Sequence, residues 1–159
     1  MTVHRIPRQK TCAVVGNSGI LLNSSCGDEI NSNDFVIRCN IPEIEGFSRD
    51  VGNKTNVTNI NLTRVKDIHK AMEFKKAPTA GMLTIGVAVC LCDKVSVYGF
   101  YPFPAGPDGR FVPYHYFGEF TNITAGSFKT RYGFHQEYLI LQKWHQEGLI
   151  NFVFGSCIT

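Results

Sequence analysis

The chain has 159 residues, 43% hydrophobic and 18% charged, with a formal charge of +3 at neutral pH. That is long enough for one domain with a real core, and the composition is that of a globular protein. The charge is small and, apart from Arg5, Arg8 and Lys10, the basic residues are scattered, which fits an anionic small ligand better than a nucleic-acid groove.

Residues 1–10 read as a polar lead-in. Cys12 to Val15 is a short apolar run bounded by polar residues, as a strand buried on both faces requires, so residues 11–15 are the first predicted strand. Gly16-Asn17-Ser18-Gly19 is its turn. Two glycines let the backbone tighten, and Asn17 and Ser18 offer short hydrogen-bonding groups beside the next segment, so the turn either holds a phosphate or sugar or is a plain strand-to-helix turn. It lacks the Lys-Ser/Thr ending of a P-loop and the spacing of a dinucleotide fingerprint. A hydrolase nucleophile at Ser18 lacks an acid and base at the needed spacing. Ile20 to Ile30 reads as a short helix with Cys26 and Gly27 near its end, which makes glycosylation of Asn23 inside it unfavourable.

Phe35 to Cys39 is a second strand closed by Asn40 and Pro42, and in a parallel sheet the turns at Asn17 and Asn40 share one edge, where ligands bind. Val57 to Leu62 alternates as a third strand. Arg64 to Lys76 is a surface helix or an exposed connection. Pro78-Thr79-Ala80-Gly81 is a turn that launches Met82 to Leu91, apolar on every side and therefore a buried helix or a long buried strand. Lys94 to Phe100 alternates as a strand, Tyr101 to Pro113 is a Pro/Gly-rich loop, and Thr121 to Gly133 suits a lid. Gln136 to Gly148 is an amphipathic helix ending on a C-cap glycine, followed by a last strand over Ile150 to Phe154.

Six cysteines, Cys12, Cys26, Cys39, Cys90, Cys92 and Cys157, include no CxxC pair and no accompanying zinc-type His spacing, so no metal site is expected. Sequons at Asn23, Asn53, Asn56, Asn61 and Asn122 fit a secretory-pathway protein in which disulfides persist. The start, MTVHRIPRQK, has no apolar core of a signal peptide, and the longest apolar run, Ala80 to Cys92, is too short to span a bilayer. A luminal protein would need a targeting segment that this chain does not carry.

Taken together these stretches resemble the animal sialyltransferases, most closely the alpha-2,8-sialyltransferases. Cys12 to Thr58 resembles the long sialylmotif, Pro78 to Phe103 the short one, Tyr114-His115-Tyr116-Phe117 the third, and His135 with Glu137 the very short His/Glu motif. The resemblance implies an α/β fold: a single Rossmann-like domain of the glycosyltransferase A variant over residues 11–159, its largely parallel sheet flanked by helices. It also implies inverting, metal-independent transfer of sialic acid from a CMP-sialic acid donor to a sialylated glycolipid or glycoprotein acceptor in the Golgi lumen. No cofactor and no nucleic-acid partner are implied.

Residue by residue, Asn17, Ser18 and Asn40 match donor-contacting positions. Thr79, Ala80 and Gly81 match the turn that holds the nucleotide, Ala80 standing where a hydroxyl residue is usual. Tyr101 stands where many relatives place Trp against the donor. His135 matches the general base and His115 the group that stabilises the departing CMP phosphate, roles suited to an imidazole titrating near neutrality. The family's disulfides carry over as Cys12 with Cys92 and Cys26 with Cys157, leaving Cys39 and Cys90 free.

The chain departs from the family in two places. Only about twenty residues separate Thr58 from Pro78, so the domain is expected to be shortened between about 59 and 77, on the acceptor side. The two-residue step from His135 to Glu137 is shorter than the alpha-2,8 pattern, with His145 as the fallback base. The resemblance also implies a membrane anchor in full-length family members, and none is expected in this chain. The alternative is therefore a truncated isoform or fragment that keeps part of a CMP-binding shell without transferase activity.

Overall fold

Strand β1, Gln9–Val15, lies at the centre of the sheet. The structure is a computed structural model that describes residues 6–40, 42–59, 78–124 and 133–157. Cys12, Ala13, Val14 and Val15 are each no more than 2% exposed, because both faces of the strand are covered. Cys12 and Val14 belong to a core with Met82, Ile85, Leu141 and Phe152, whereas Ala13 and Val15 belong to one with Ile20, Ile30, Tyr98 and Tyr116. Side chains alternate along a strand, so one continuous apolar run supplies two cores.

Strands β2, Phe35–Cys39, and β4, Cys92–Tyr98, flank β1. Outside them lie β3, Val57–Asn59, and β5, Asn151–Val153. All four pairings are parallel, in the order β3-β2-β1-β4-β5. The chain works outward from β1 to β3 and then crosses back to the other side of β1. In open α/β sheets the crevice at such a reversal, outside the carboxyl ends of the strands, is where ligands bind. β1 begins at Gln9, paired with Cys92, so the last two residues of the polar lead-in belong to the sheet.

Four helices are described: α1, Gly27–Ser32; α2, Ser48–Val51; α3, Ala80–Leu91; and α4, Phe134–Gln146. The single helix expected over Ile20 to Ile30 is not formed. A 3-10 turn spans Gly19–Leu21, and Asn23 and Ser25 then take φ of 60° and 54°. The Asp50 carboxylate stabilises that bend by accepting the Asn23 and Ser25 N–H groups at 2.8 and 2.9 Å. Cys26 and Gly27 open α1 rather than close the preceding segment. Asn23 is exposed in a turn, which removes the argument against its sequon.

The ambiguous apolar run is the helix α3. Thr79 caps it by accepting the Met82 N–H at 3.1 Å, and Met82, Ile85 and Ala88 face the core while Val87 is 56% exposed. The surface helix or connection expected over Arg64 to Lys76, residues 60–62 of the third strand and most of the expected lid lie outside the described residues.

Cys12 is bonded to Cys92, joining neighbouring strands β1 and β4, and Cys26 to Cys157, which fixes the C-terminal segment to α1. Their sequence separations of 80 and 131 residues place each closure at roughly 4–5 kcal/mol of stability by the entropy of the loop closed. Cys39 and Cys90 are free thiols. The Arg38 side chain is wholly buried and donates to the Val51 and Lys54 carbonyls and to Thr55 Oγ1. It thereby orders the loop into β3, although burial lowers its pKa.

Candidate functional site

At the carboxyl ends of β1, β2 and β4 a cleft opens towards solvent, the position at which open α/β sheets bind ligands. Its floor is built by close approach. Gly16 follows β1, and a Cβ there would lie 2.5 Å from the Gly99 carbonyl oxygen; one on Gly81 would lie 2.4 Å from the Phe100 ring. Only residues without a side chain let the β1 turn, the β4 turn and the start of α3 meet around Phe100.

Asn17 is nearly buried. Its Nδ2 donates to the Cys39 carbonyl at 2.9 Å, bridging the ends of β1 and β2, and its backbone carbonyl accepts the Tyr116 N–H at 3.0 Å. Its Oδ1 is buried with no partner among the described residues. A buried acceptor without a donor is costly, and in a ligand cleft it is a place for a hydroxyl or amino group of the ligand. Ser18 Oγ accepts the Ile20 N–H and donates to the Tyr101 carbonyl at 3.2 Å. Asn40 sits at φ 61° directly after β2, its N–H donating to the Asn59 carbonyl.

The far wall is the start of α3. Thr79, Ala80 and Gly81 line the cleft, and Asn59 at the end of β3 donates to the Ala80 carbonyl at 3.1 Å, tying the β3 end to that turn. Tyr101 also lines it, with its ring edge-on to Phe103 and Tyr138 and its hydroxyl donating to the Ala105 carbonyl. His115 stands opposite, its ring stacked on Tyr114 at 4.3 Å and on Phe117 at 5.6 Å. Burial holds this imidazole below its ordinary value of 6.5, so it enters neutral solution uncharged. Cys39 lines the cleft too, but burial pushes its thiol up to about 12, which leaves no thiolate there.

All seven residues expected to contact the donor, Asn17, Ser18, Asn40, Thr79, Ala80, Gly81 and Tyr101, line this one cleft together with His115. His135 does not line it. It is exposed, edge-on to Phe103 at 5.5 Å. The cleft-facing residues of α4 are Phe134, Glu137, Tyr138 and Leu141, the i, i+3, i+4, i+7 stripe of a helix, and a residue two before Glu137 points about 200° away from it. The fallback, His145, accepts the Phe152 N–H at Nδ1, a contact that seats the end of α4 on β5. Glu137 belongs to the cleft through its own geometry: Oε1 accepts the Thr79 N–H and Oε2 the Thr79 hydroxyl, both at 2.7 Å. The His/Glu motif drew attention to Glu137, but nothing in the sequence connects it to Thr79, 58 residues away. Among the described residues no three His, Cys, Asp or Glu side chains gather as a metal-ligand set.

Strand order, cleft position and lining define an α/β protein with a cleft at the sheet's switch point. The family model described as glycosyltransferase family 29 (sialyltransferase) matches residues 4–76 and 61–149. The chain is 28% identical to alpha-2,8-sialyltransferase 8E of Rattus norvegicus, covering 93% of this chain and 56% of that protein. It is 28% identical to the Mus musculus protein of the same name, covering 93% and 52%. A solved mammalian sialyltransferase superposes with a TM-score of 0.67 at 22% identity, over 92% of this chain and 70% of that one. A second, in complex with Gal-beta-1-3GalNAc-ortho-nitrophenol, gives 0.67 at 23% identity.

The chain belongs to glycosyltransferase family 29, the sialyltransferases. It spans about half the length of the curated relatives it matches. The aligned stretch with them runs over 220 positions, more than the 159 residues of the whole chain, so it contains gaps opposite residues that the relatives have and this chain lacks.

Proposed function

We propose that this protein binds CMP-sialic acid in the cleft at the ends of β1, β2 and β4 and transfers the sialic acid to a sialylated glycolipid or glycoprotein acceptor. The observation that carries the reading is the convergence of Asn17, Ser18, Asn40, the Thr79-Ala80-Gly81 turn and His115 on that cleft. Asn17 Oδ1 takes a hydroxyl or amino group of the nucleotide, filling its empty acceptor position. His115 donates to the phosphate. An anion beside a neutral imidazole raises its pKa, so binding draws a proton onto the ring and prepares it to stabilise the charge that grows as CMP leaves.

In the transfer the acceptor hydroxyl oxygen forms a bond to the anomeric carbon while the bond from that carbon to the CMP phosphate oxygen breaks. The acceptor proton passes to a base, and CMP departs. We assign inversion, the alpha-2,8 linkage, independence of metal and a Golgi lumenal setting on the likeness to the alpha-2,8-sialyltransferases. The two disulfides support an oxidising compartment. We also propose that the domain is shortened between about 59 and 77, in keeping with the gapped alignment and with a family match that falls in two overlapping parts.

A second reading is favoured by the place of His135, exposed and off the cleft-facing stripe of α4. Here the protein keeps a CMP-binding shell and transfers nothing. Calorimetry with CMP, run beside a transfer assay from CMP-sialic acid to sialylated acceptors, separates the two. Binding with transfer supports the enzyme, and binding without transfer supports the shell. A folded sample that binds no CMP contradicts both.

A further inference from the structure

We propose that Glu137 is the positioning residue of the nucleotide turn, a buried carboxylate by which α4 fixes the Thr79-Ala80-Gly81 wall of the cleft. This rests on the donor reading above but makes a claim about the empty protein as well. Two distances carry it, the Thr79 N–H to Oε1 and the Thr79 hydroxyl to Oε2, both 2.7 Å. The same hydroxyl oxygen accepts the Met82 N–H at 3.1 Å. One chain of hydrogen bonds therefore runs from the first turn of α3 through the Thr79 hydroxyl to a carboxylate on another helix, and it fixes both the rotamer of the cap and the backbone plane at Thr79.

A side chain retained only for stability would be a poor choice at this position. Glu137 is 6% exposed and no cation is paired with it among the described residues. Two neutral donors offset part of its desolvation, and burial still outweighs them, since its pKa is raised. A carboxylate that costs stability and lines a ligand cleft is better explained by the geometry it imposes: both oxygens are held by one residue, and that residue opens the wall that faces the ligand.

The test compares Glu137→Leu, Thr79→Val, Glu137→Gln and Thr79→Ser with the wild-type 159-residue chain. The first readout needs no ligand. Amide hydrogen exchange at Ala80–Leu83 is expected to quicken about 10-fold in Glu137→Leu and Thr79→Val, while amides of β1 and β4 keep their rates. Thr79→Ser, which retains the hydroxyl, and Glu137→Gln, whose Oε1 accepts the Thr79 N–H and whose Nε2 donates to the hydroxyl, are expected to restore wild-type exchange. The second readout is calorimetry with CMP: affinity falls about 10-fold in Glu137→Leu and in Thr79→Val, and the double variant is no weaker than either single one, because both break the same chain of bonds. Unchanged exchange at the start of α3 in Glu137→Leu, or additive losses in the double variant, would overturn the assignment. A wild-type chain that binds no CMP would sink the donor reading while leaving the exchange experiment to judge Glu137.

Discussion

The wall formed by the strand ends and the wall formed by the start of α4 reach the same cleft by different means. Asn17 and Asn40 are placed by topology: once β1 and β2 are parallel neighbours, the residues that follow them must emerge side by side, and the Asn17 to Cys39 hydrogen bond closes the gap. The α4 wall is placed by helical phase. Phe134, Glu137, Tyr138 and Leu141 face inward, and the same periodicity turns His135 outward with Leu139, which is 51% exposed. Two residues of one motif can therefore face opposite sides of a helix, because the spacing between them and not their types decides which face each occupies.

The strand-end wall is most vulnerable at Gly16. Gly16→Ala puts a Cβ 2.5 Å from the Gly99 carbonyl oxygen, a backbone clash with no side chain to yield. Overpacking of this kind costs about 1–3 kcal/mol, to be read in urea unfolding, and CMP affinity is expected to fall by about 100-fold as the floor of the cleft shifts. Asn17→Ala is milder. It removes an acceptor and leaves the Cys39 carbonyl without its donor, and we expect CMP binding to weaken about 10-fold, close to 1.4 kcal/mol. A loss smaller than twofold would remove Asn17 from the ligand contacts.

His115 makes the cleft sensitive to pH. Its native pKa lies below 6.5 because of burial, so the unfolded chain takes up a proton there before the folded chain does. Stability must decline as pH falls below 6.5 and through the native value. His115→Gln lacks that contribution, and its thermal midpoint is expected to drop less than that of the wild type between pH 7 and pH 5. An equal or larger drop would mean that the ring is not held neutral. The smallest effect is assigned to His135→Ala, which leaves CMP affinity within about twofold, since the ring is outside the cleft. If transfer occurs and survives this change, His135 is not the base.

The central strand was legible because Cys12 to Val15 is apolar at every position and ends on a glycine turn, and the parallel order then carried Asn17 and Asn40 to one edge. Met82 to Leu91 could not be resolved between helix and strand. Its exposed side carries Val87 as well as Gly86 and Cys90, so the sequence contains no polar face to reveal the period. The bend at Asn23 and Ser25 was hidden for another reason, since Asp50, which supports it, comes 25 residues or more later. The Glu137 to Thr79 contact was hidden in the same way: hydrogen bonds between distant elements follow from packing and leave no local signature.

CMP binding at the ends of β1, β2 and β4 underlies every role proposed for the cleft residues. The most direct measurement is an amide NMR titration of the isotopically labelled full chain with CMP. Saturable shifts centred on Gly16, Asn17, Ser18, Asn40 and Thr79–Gly81, with the Leu139 side of α4 unmoved, are the predicted result. No saturable shifts, or shifts centred on the outer face of α4, would contradict it.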